Sequence, residues 1–259
     1  MQQSLEQIHS NVKSWLGESI PFINKSLQQS LTVETKRDRR DLVSNIDKQM
    51  ELLLTAKINE CYPTHQVLGE ETANSFQLGT LEHLWIIDPI DGTANFLKQK
   101  DHFCILIAYY EQGIGKLGYM YDVVNEDLYH AVYEQGAYKN GEPIRRPEAI
   151  ALEEGLVSCD ARNWCEQPRF QKLMKHCFDI RYFGCGGIDS IHVIQGKFAA
   201  FLTSVSGPWD KAAQMIFAKE LGLKLVRFDG SEVDHLTGGD YILANEGCID
   251  EILSIMKDV

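Results

Sequence analysis

The stretch Trp85-Ile86-Ile87-Asp88-Pro89-Ile90-Asp91-Gly92-Thr93-Ala94-Asn95-Phe96 constrains this chain more than any other. An apolar run that reads as a buried strand ends in two carboxylates spaced i and i+3, and Gly-Thr follows at once. Carboxylates at the end of a buried strand cost free energy unless they hold something positive. Ligands made only of oxygen suit a hard cation such as magnesium. Gly92 and Thr93 then offer backbone N–H groups and a hydroxyl to an anion beside that cation. The segment reads as a metal-dependent phosphate site.

The rest of the chain must supply a scaffold and further ligands. Its 259 residues are enough for one large domain or two closely packed halves. Apolar content of 44% and charged content of 24% are those of a globular protein, and no repeat or low-complexity segment interrupts them. A formal charge of −12 argues against a general nucleic-acid binder, which needs a basic face. The seven cysteines form no C-x-x-C pair and read as reduced, partly buried thiols. The N-terminus lacks a basic region followed by an apolar one, and no uncharged apolar run approaches the ~20 residues of a membrane span. A soluble, cytoplasmic protein without a membrane partner is the expectation.

Along the chain, Leu5, Ile8, Val12, Trp15, Leu16 and Ile20 recur at helical spacing, with Pro21 marking a kink or split. The charged run from Thr35 to Asp41 reads as a loop, and its four cations are placed to attract a phosphorylated substrate or simply to face water. Ser44-Asn45-Ile46-Asp47 resembles a capping box that opens a helix through Met50, Leu54 and Ile58. Gln66-Val67-Leu68 and Leu84 to Ile87 are strands, ending at Gly69-Glu70-Glu71 and at Asp88. Phe103 to Tyr110, Ile114 to Tyr121, Leu128 to Tyr133 and Ala137-Tyr138 suggest an antiparallel meander, with Asn140-Gly141 as a turn. Pro143 to Glu154 links the halves 1–145 and 146–259, expected to pack as one compact unit.

Strand and helix patterns then alternate. Leu156 to Ser158, Arg181 to Phe183, Lys197 to Leu202, Leu223 to Arg227 and Tyr241 to Ala244 read as strands. Helices are expected around Phe170 to Cys177, after Gly184, from Trp209-Asp210 to Gly222, and at the C-terminus. The fold class is a layered α/β (α+β) structure with mixed sheets.

Three acidic sites fall at strand ends or helix starts: Glu70-Glu71, Asp88 with Asp91, and Asp210. Glu70, Asp88, Asp91 and Asp210 together have the charge to neutralise two divalent cations. Two such ions roughly 3.5–4 Å apart stabilise both the attacking and the leaving oxygen of a phosphoryl group. Spacing alone does not bring Asp210 to the other acids.

Gly69-Glu70-Glu71, Asp88-Pro89-Ile90-Asp91-Gly92-Thr93 and Trp209-Asp210-Lys211-Ala212-Ala213, in this order, resemble the motifs of the inositol monophosphatase family. Asp41-Leu42-Val43-Ser44-Asn45-Ile46-Asp47 is similar to a further element of that family, and the resemblance covers essentially the whole chain. It implies an alternating α-β-α-β-α layered sandwich of the sugar phosphatase type, a homodimer, and a magnesium-dependent, lithium-sensitive phosphatase. By the same resemblance, Glu70 binds the first metal, Asp88 bridges the first and second, and the Ile90 carbonyl completes the first shell. Asp91 and Asp210 hold the second ion, and Glu71 serves a weaker third through water. Gly92 and Thr93 bind the substrate phosphate. Thr93 orients the attacking water with Glu70, and Asp47 orients Thr93. Lys36 falls in the family's mobile metal loop. Water attacks a phosphate monoester directly, without a phosphoenzyme, so the histidines His65, His83 and His102 are expected to pack rather than react.

The match departs on the side facing the alcohol. Inositol-cleaving relatives carry a glutamate seven residues before the Trp-Asp aspartate, and Thr203 stands there in this chain. Threonine is no substitute for a bidentate acceptor. The small-residue element usually read as Gly-Ser-Ala-Ala or Gly-Thr-Ala-Ala is Gly184-Cys185-Gly186-Gly187. Together Gly184, Cys185, Gly186 and Thr203, with Asp91 and Asp210, imply intact phosphate chemistry with an altered or broad leaving-group pocket. A small polyol phosphate, the 2′-phosphate of NADP(H), fructose 1,6-bisphosphate and 3′-phosphoadenosine 5′-phosphate are the competing substrates, the last ranked lowest because it goes with longer chains. Some relatives also serve as RNA-polymerase or ribosome-assembly partners. The intact acidic set favours an enzyme over such a non-catalytic role.

Overall fold

The structure is a computed structural model that describes residues 4–27, 33–35, 42–77, 79, 82–160 and 167–257. The run at 36–41, with Lys36, lies outside the described residues. In chain order the elements are α1 (Leu5–Ser26), β1 (Val33–Thr35), β2 (Leu42–Ser44), α2 (Asn45–Cys61), β3 (Gln66–Gly69), β4 (His83–Asp91), α3 (Thr93–Lys98), β5 (Cys104–Glu111), β6 (Ile114–Asp122), β7 (Asp127–Val132), β8 (Gly136–Lys139) and β9 (Glu142–Pro143). They continue with β10 (Leu156–Cys159), α4 (Pro168–His176), β11 (Asp179–Arg181), α5 (Gly186–Ile194), β12 (Ala200–Thr203), α6 (Ala212–Leu221), β13 (Lys224–Val226), β14 (Tyr241–Ala244) and α7 (Ile249–Lys257).

Alternation along the strands sets the layers. In β4, Trp85 and Ile87 pack with α1 and α2, whereas Leu84 and Ile86 join a core with Ile188 of α5 and Ile216 of α6. The second sheet behaves likewise. Phe201, Tyr241 and Leu243 enter that same central core, and Leu202, Ile242 and Ala244 pack against Phe170 and Leu173 of α4 and Ile252 and Ile255 of α7. The two strand periodicities therefore give helix, sheet, helix, sheet, helix: the α-β-α-β-α sandwich.

The larger sheet has seven strands in the order β3-β4-β5-β6-β7-β8-β9; β3 and β4 are parallel, and the meander from β4 onward is antiparallel. The smaller sheet is mixed, with five strands in the order β11-β10-β12-β14-β13.

Several boundaries differ from the sequence reading. Pro21 lies inside a continuous α1, whose face of Ile8, Val12, Trp15, Leu16 and Ile23 is buried across it. Proline removes one helical N–H, and here tertiary packing of both flanks offsets that loss. Strand β4 runs past Asp88 to Asp91. The helix expected from Trp209 starts at Ala212, because Asp210 turns back to accept the N–H of Gly207 at 2.5 Å. Strand β11 ends at Arg181 rather than Phe183, and β12 starts at Ala200 rather than Lys197.

Candidate active site

A slip in the ladder of β4 creates the site. Asp88 pairs with Leu106 and Asp91 with Cys104, so three steps on β4 face two on β5. In a regular strand, residues i and i+3 point to opposite faces. One extra residue, a β-bulge, puts both aspartates on the face of Leu106 and Cys104, toward the central core and the smaller sheet. Pro89 sits within the bulge, where its missing N–H is tolerated. Ile90 points the other way, into the core shared with α1 and α2.

The bulge brings the carboxylates to Asp210, which arrives from the turn before α6. Asp88, Asp91 and Asp210 each place an oxygen within 4.8 Å of the others. Glu70 follows β3, and its N–H donates to the Ile87 carbonyl at 3.2 Å, which sets it beside the end of β4. Its charge acts on both Asp88 and Asp210, although Glu70 and Glu71 stand outside the close triad.

Burial raises all three carboxylates in the triad, and repulsion adds to it at Asp88 and Asp210. Asp88 is pushed well up by burial first, then by Glu70, Asp91 and Asp210. Burial also raises Asp91, against hydrogen bonds from the Gly187 N–H and the Cys185 and Cys104 thiols. Asp210 is lifted to about 8 by burial and the charges of Asp91 and Glu70. Lys211, fully buried next to it, bonds to the Gly207 carbonyl at 2.8 Å and Ser206 Oγ at 3.2 Å, and burial lowers it to about 8. A cluster of acids this crowded fits a hard divalent cation, because every donor in it is a carboxylate oxygen.

A relay lies behind the triad. The capping box at Ser44 is formed, and Asp47 Oδ2 accepts from the Ser44 hydroxyl at 2.5 Å and the Ser44 N–H at 3.0 Å. Asp47 Oδ1 accepts from the Thr93 hydroxyl at 2.9 Å, and the Ile90 carbonyl lies 3.1 Å from Thr93 Oγ1 as the alternative acceptor. Burial raises Asp47, and the bonds from Ser44 and Thr93 oppose it. Gly92, at φ +88°, opens α3; a side chain there would be strained and would press on Cys185.

The alcohol-side candidates share one cleft with the acids. Gly184, Cys185, Gly186 and Thr203 line a cavity of about 270 Å³ together with Asp91 and Asp210. Tyr182 and Val205, 53% and 68% exposed, form part of its apolar rim. The Thr203 hydroxyl is turned back on its own loop, donating to the Val205 carbonyl at 3.0 Å. The histidines pack: His65 stacks on His83 and Tyr109, and His102 on Phe183. Of the six described cysteines five are buried and Cys61 is exposed; Cys165 lies outside the described residues.

Sequence reasoning missed Glu51. It is 1% exposed on α2, one turn after Asp47, and its Oε2 accepts the N–H of Glu71 at 2.7 Å while Oε1 is buried without a partner. Gly69 permits this approach, since a Cβ there would collide with the Glu51 carboxylate. The available signal was a second acid at i+4 on a helix face otherwise carrying Met50, Leu54 and Ile58.

Fold and site define a layered phosphate hydrolase built around a carboxylate cation centre. The profile of the inositol monophosphatase family matches residues 4–257. The inositol-1-monophosphatase of Bacillus subtilis is 35% identical over 245 residues, 92% of each chain. The fructose-1,6-bisphosphatase/inositol-1-monophosphatase of Thermotoga maritima is 33% identical over 228 residues, 88% of this chain and 87% of its own. A crystal structure of an IMPase/NADP phosphatase with NADP and Ca2+ at pH 7.0 superposes with a TM-score of 0.95, at 37% identity, covering 100% of this chain and 98% of that one. This chain belongs to the inositol monophosphatase family, and it is a hydrolase of phosphate monoesters.

Proposed function

We propose that the chain uses magnesium, two ions and a weaker third, to hydrolyse the phosphate monoester of a small polyol or of a nucleotide. The observation that carries the reading is the convergence of Asp88, Asp91 and Asp210 from two separate elements onto one point. In this reading Asp88 would be shared by two ions, one held also by Glu70 and the Ile90 carbonyl and the other by Asp91 and Asp210, and Glu71 would serve the third. Bound magnesium supplies Lewis acidity and a source of hydroxide near neutral pH.

The chain's own groups do the positioning. Thr93 donates its proton to Asp47, so its oxygen keeps lone pairs for a proton of the attacking water. Asp47 has a raised proton affinity, which suits it to back that transfer. Glu70 is the second acceptor. Backbone N–H groups at Gly92 and Thr93 receive the phosphate at the start of α3. Lys211 stays out of the chemistry and holds the turn that presents Asp210.

The alcohol pocket supports a broad or nucleotide substrate. Tyr182 and Val205 offer an apolar rim that a fructose bisphosphate does not use, and a relative at 37% identity binds NADP. The two halves of the chain, 1–145 and 146–259, act as one catalytic unit, a cytoplasmic homodimer sensitive to lithium and without a nucleic-acid partner. Among the described residues no helix is long and apolar enough to cross a membrane. The test is phosphate release from inositol 1-phosphate, NADP, fructose 1,6-bisphosphate and 3′-phosphoadenosine 5′-phosphate, with and without magnesium. Magnesium-dependent release from at least one is expected; none from any would end the enzymatic reading.

A further inference from the structure

Asp91 has a second set of neighbours that hydrolysis does not use. Cys104 Sγ lies 3.7 Å from Cys185 Sγ, and the Asp91 Oδ2 atom is 3.2 Å from Cys185 Sγ and 3.7 Å from Cys104 Sγ. The three ligand atoms come from β4, β5 and the residue before α5, so packing of three elements holds them. Gly187 is part of the arrangement: a Cβ there would collide with Cys104 Sγ and lie 2.9 Å from Asp91 Oδ2.

A tetrahedral cation with bonds of about 2.3 Å to sulfur and about 2.0 Å to oxygen sets its sulfurs about 3.8 Å apart and each sulfur about 3.5 Å from the oxygen. The triangle of Asp91, Cys104 and Cys185 approximates one face of that tetrahedron, and Asp91 and Cys185 both line the cleft.

We infer that Asp91, Cys104 and Cys185 form a site for a thiophilic divalent cation such as zinc or cadmium, and that filling it withdraws Asp91 from the acidic triad. On binding, two thiol protons leave to solvent, and two sulfur pairs and one carboxylate pair bond to the cation; nothing is oxidised or reduced. Soft thiolates favour such a cation over magnesium, which prefers the all-oxygen triad next to it. The two centres share one ligand, so occupancy of the soft site inhibits. That inhibitory half rests on the role given to Asp91 in hydrolysis, whereas binding itself does not.

The test titrates reduced, full-length protein with cadmium and follows ultraviolet thiolate-to-cadmium charge transfer, protons released and phosphatase activity. Expected are one cadmium bound with a charge-transfer band, about two protons released per ion, and inhibition that grows in step with the band. Cys104→Ser should remove the band, keep activity in magnesium, and raise the inhibitory cadmium concentration by about tenfold or more. Cys104→Ala guards against a folding artefact, and Cys61→Ser, at an exposed thiol, should change nothing. A band that survives in both Cys104 variants overturns the site. So does inhibition without a band that magnesium relieves, since cadmium would then be sitting among the carboxylates. A band without inhibition keeps the soft site and instead refutes the shared role of Asp91.

Discussion

One wall of the cleft presents Asp91 and Asp210, backed by Asp88, Asp47 and Lys211, each buried and each held by its surroundings; the other carries Tyr182 and Val205, exposed, and Thr203, whose hydroxyl is spent on its own loop. On the first wall a bulge, a capping box and a buried turn fix acids that repel one another. On the second, glycines and a short strand end leave space. Electrostatic strain on the metal side is retained because a cation relieves it, and rigid placement is what makes acids act together. The alcohol side has no such requirement, which is the basis for the broad leaving-group pocket proposed for it. The difference teaches that reaction and specificity are separately encoded, and mutations on the two walls should fail in different ways.

The largest effect is expected at the centre of the first wall. Asp88→Asn removes the charge proposed to bridge two ions, a contribution of several kcal/mol to transition-state stabilisation. At about 1.4 kcal/mol per tenfold, kcat/KM should fall by about a thousandfold or more for every substrate alike. The metal-free variant should melt at least as high as wild type, since it loses a buried, repelled acid. Uniform loss is the point to check with two substrates; retained activity refutes the bridging role.

Thr93→Ala comes next, with a fall in kcat of about a hundredfold, the low end of what a positioned proton acceptor contributes. Thr93→Ser should recover most of it, because the hydroxyl bonded to Asp47 returns. Full activity in Thr93→Ala would remove the relay from the mechanism. A smaller effect, about tenfold, is expected for Glu51→Gln. The carboxylate that holds the Glu71 N–H becomes a neutral amide, so the turn carrying Glu70 loosens. The magnesium concentration for half-activity should rise while KM at saturating magnesium stays put; an unchanged magnesium dependence would make Glu51 a packing residue only.

Magnesium and protons compete for the same oxygens, and this gives a stability signature of about 1–3 kcal/mol at high magnesium. The folded-state proton affinities of Asp88, Asp91 and Asp210 are raised, Asp210 to about 8. In the metal-free protein the native state therefore binds more protons than the unfolded chain between the ordinary carboxylate range and the raised one. Stability from these groups is greatest at low pH and is lost as pH rises through the folded values. Magnesium should raise Tm more at pH 8 than at pH 6, as thermal melts at matched ionic strength will show. An equal rise at both would mean the triad is not where the cation binds.

Much of the first wall was legible because its signals are local. An apolar run meeting Asp-Pro-Ile-Asp, and Ser44 three residues before Asp47, depend on neighbours along the chain. The bulge was not legible: the i, i+3 spacing of Asp88 and Asp91 reads as opposite faces until the ladder to Cys104 and Leu106 is known. Glu51 looked like an ordinary helix acid, because only the turn after β3 reveals what its carboxylate touches. Trp209 looked like a helix start, because the Gly207–Asp210 turn is closed by a side chain rather than by a periodic pattern. On the second wall, sequence marked Thr203 and Gly184 to Gly186 as neighbours of the substrate, and they do line one cavity, yet the direction of the Thr203 hydroxyl depends on Val205 in its own loop.

The smallest expected effect is the one that sharpens the contrast between the walls. Thr203→Glu places a carboxylate at the cavity-lining end of β12. A carboxylate accepts two hydroxyl protons that the self-bonded threonine does not. A charge-assisted bond contributes about 1.5–3 kcal/mol, discounted here for the exposure of the loop and the acids nearby. The ratio of kcat/KM for inositol 1-phosphate over NADP should rise by about fivefold, while kcat at saturating magnesium changes little for either. If instead both substrates lose activity equally, the new charge has reached the metal side and the walls are coupled. If the ratio does not move, selectivity rests on the Tyr182 and Val205 rim, and Tyr182→Ala should then weaken NADP hydrolysis more than inositol 1-phosphate hydrolysis.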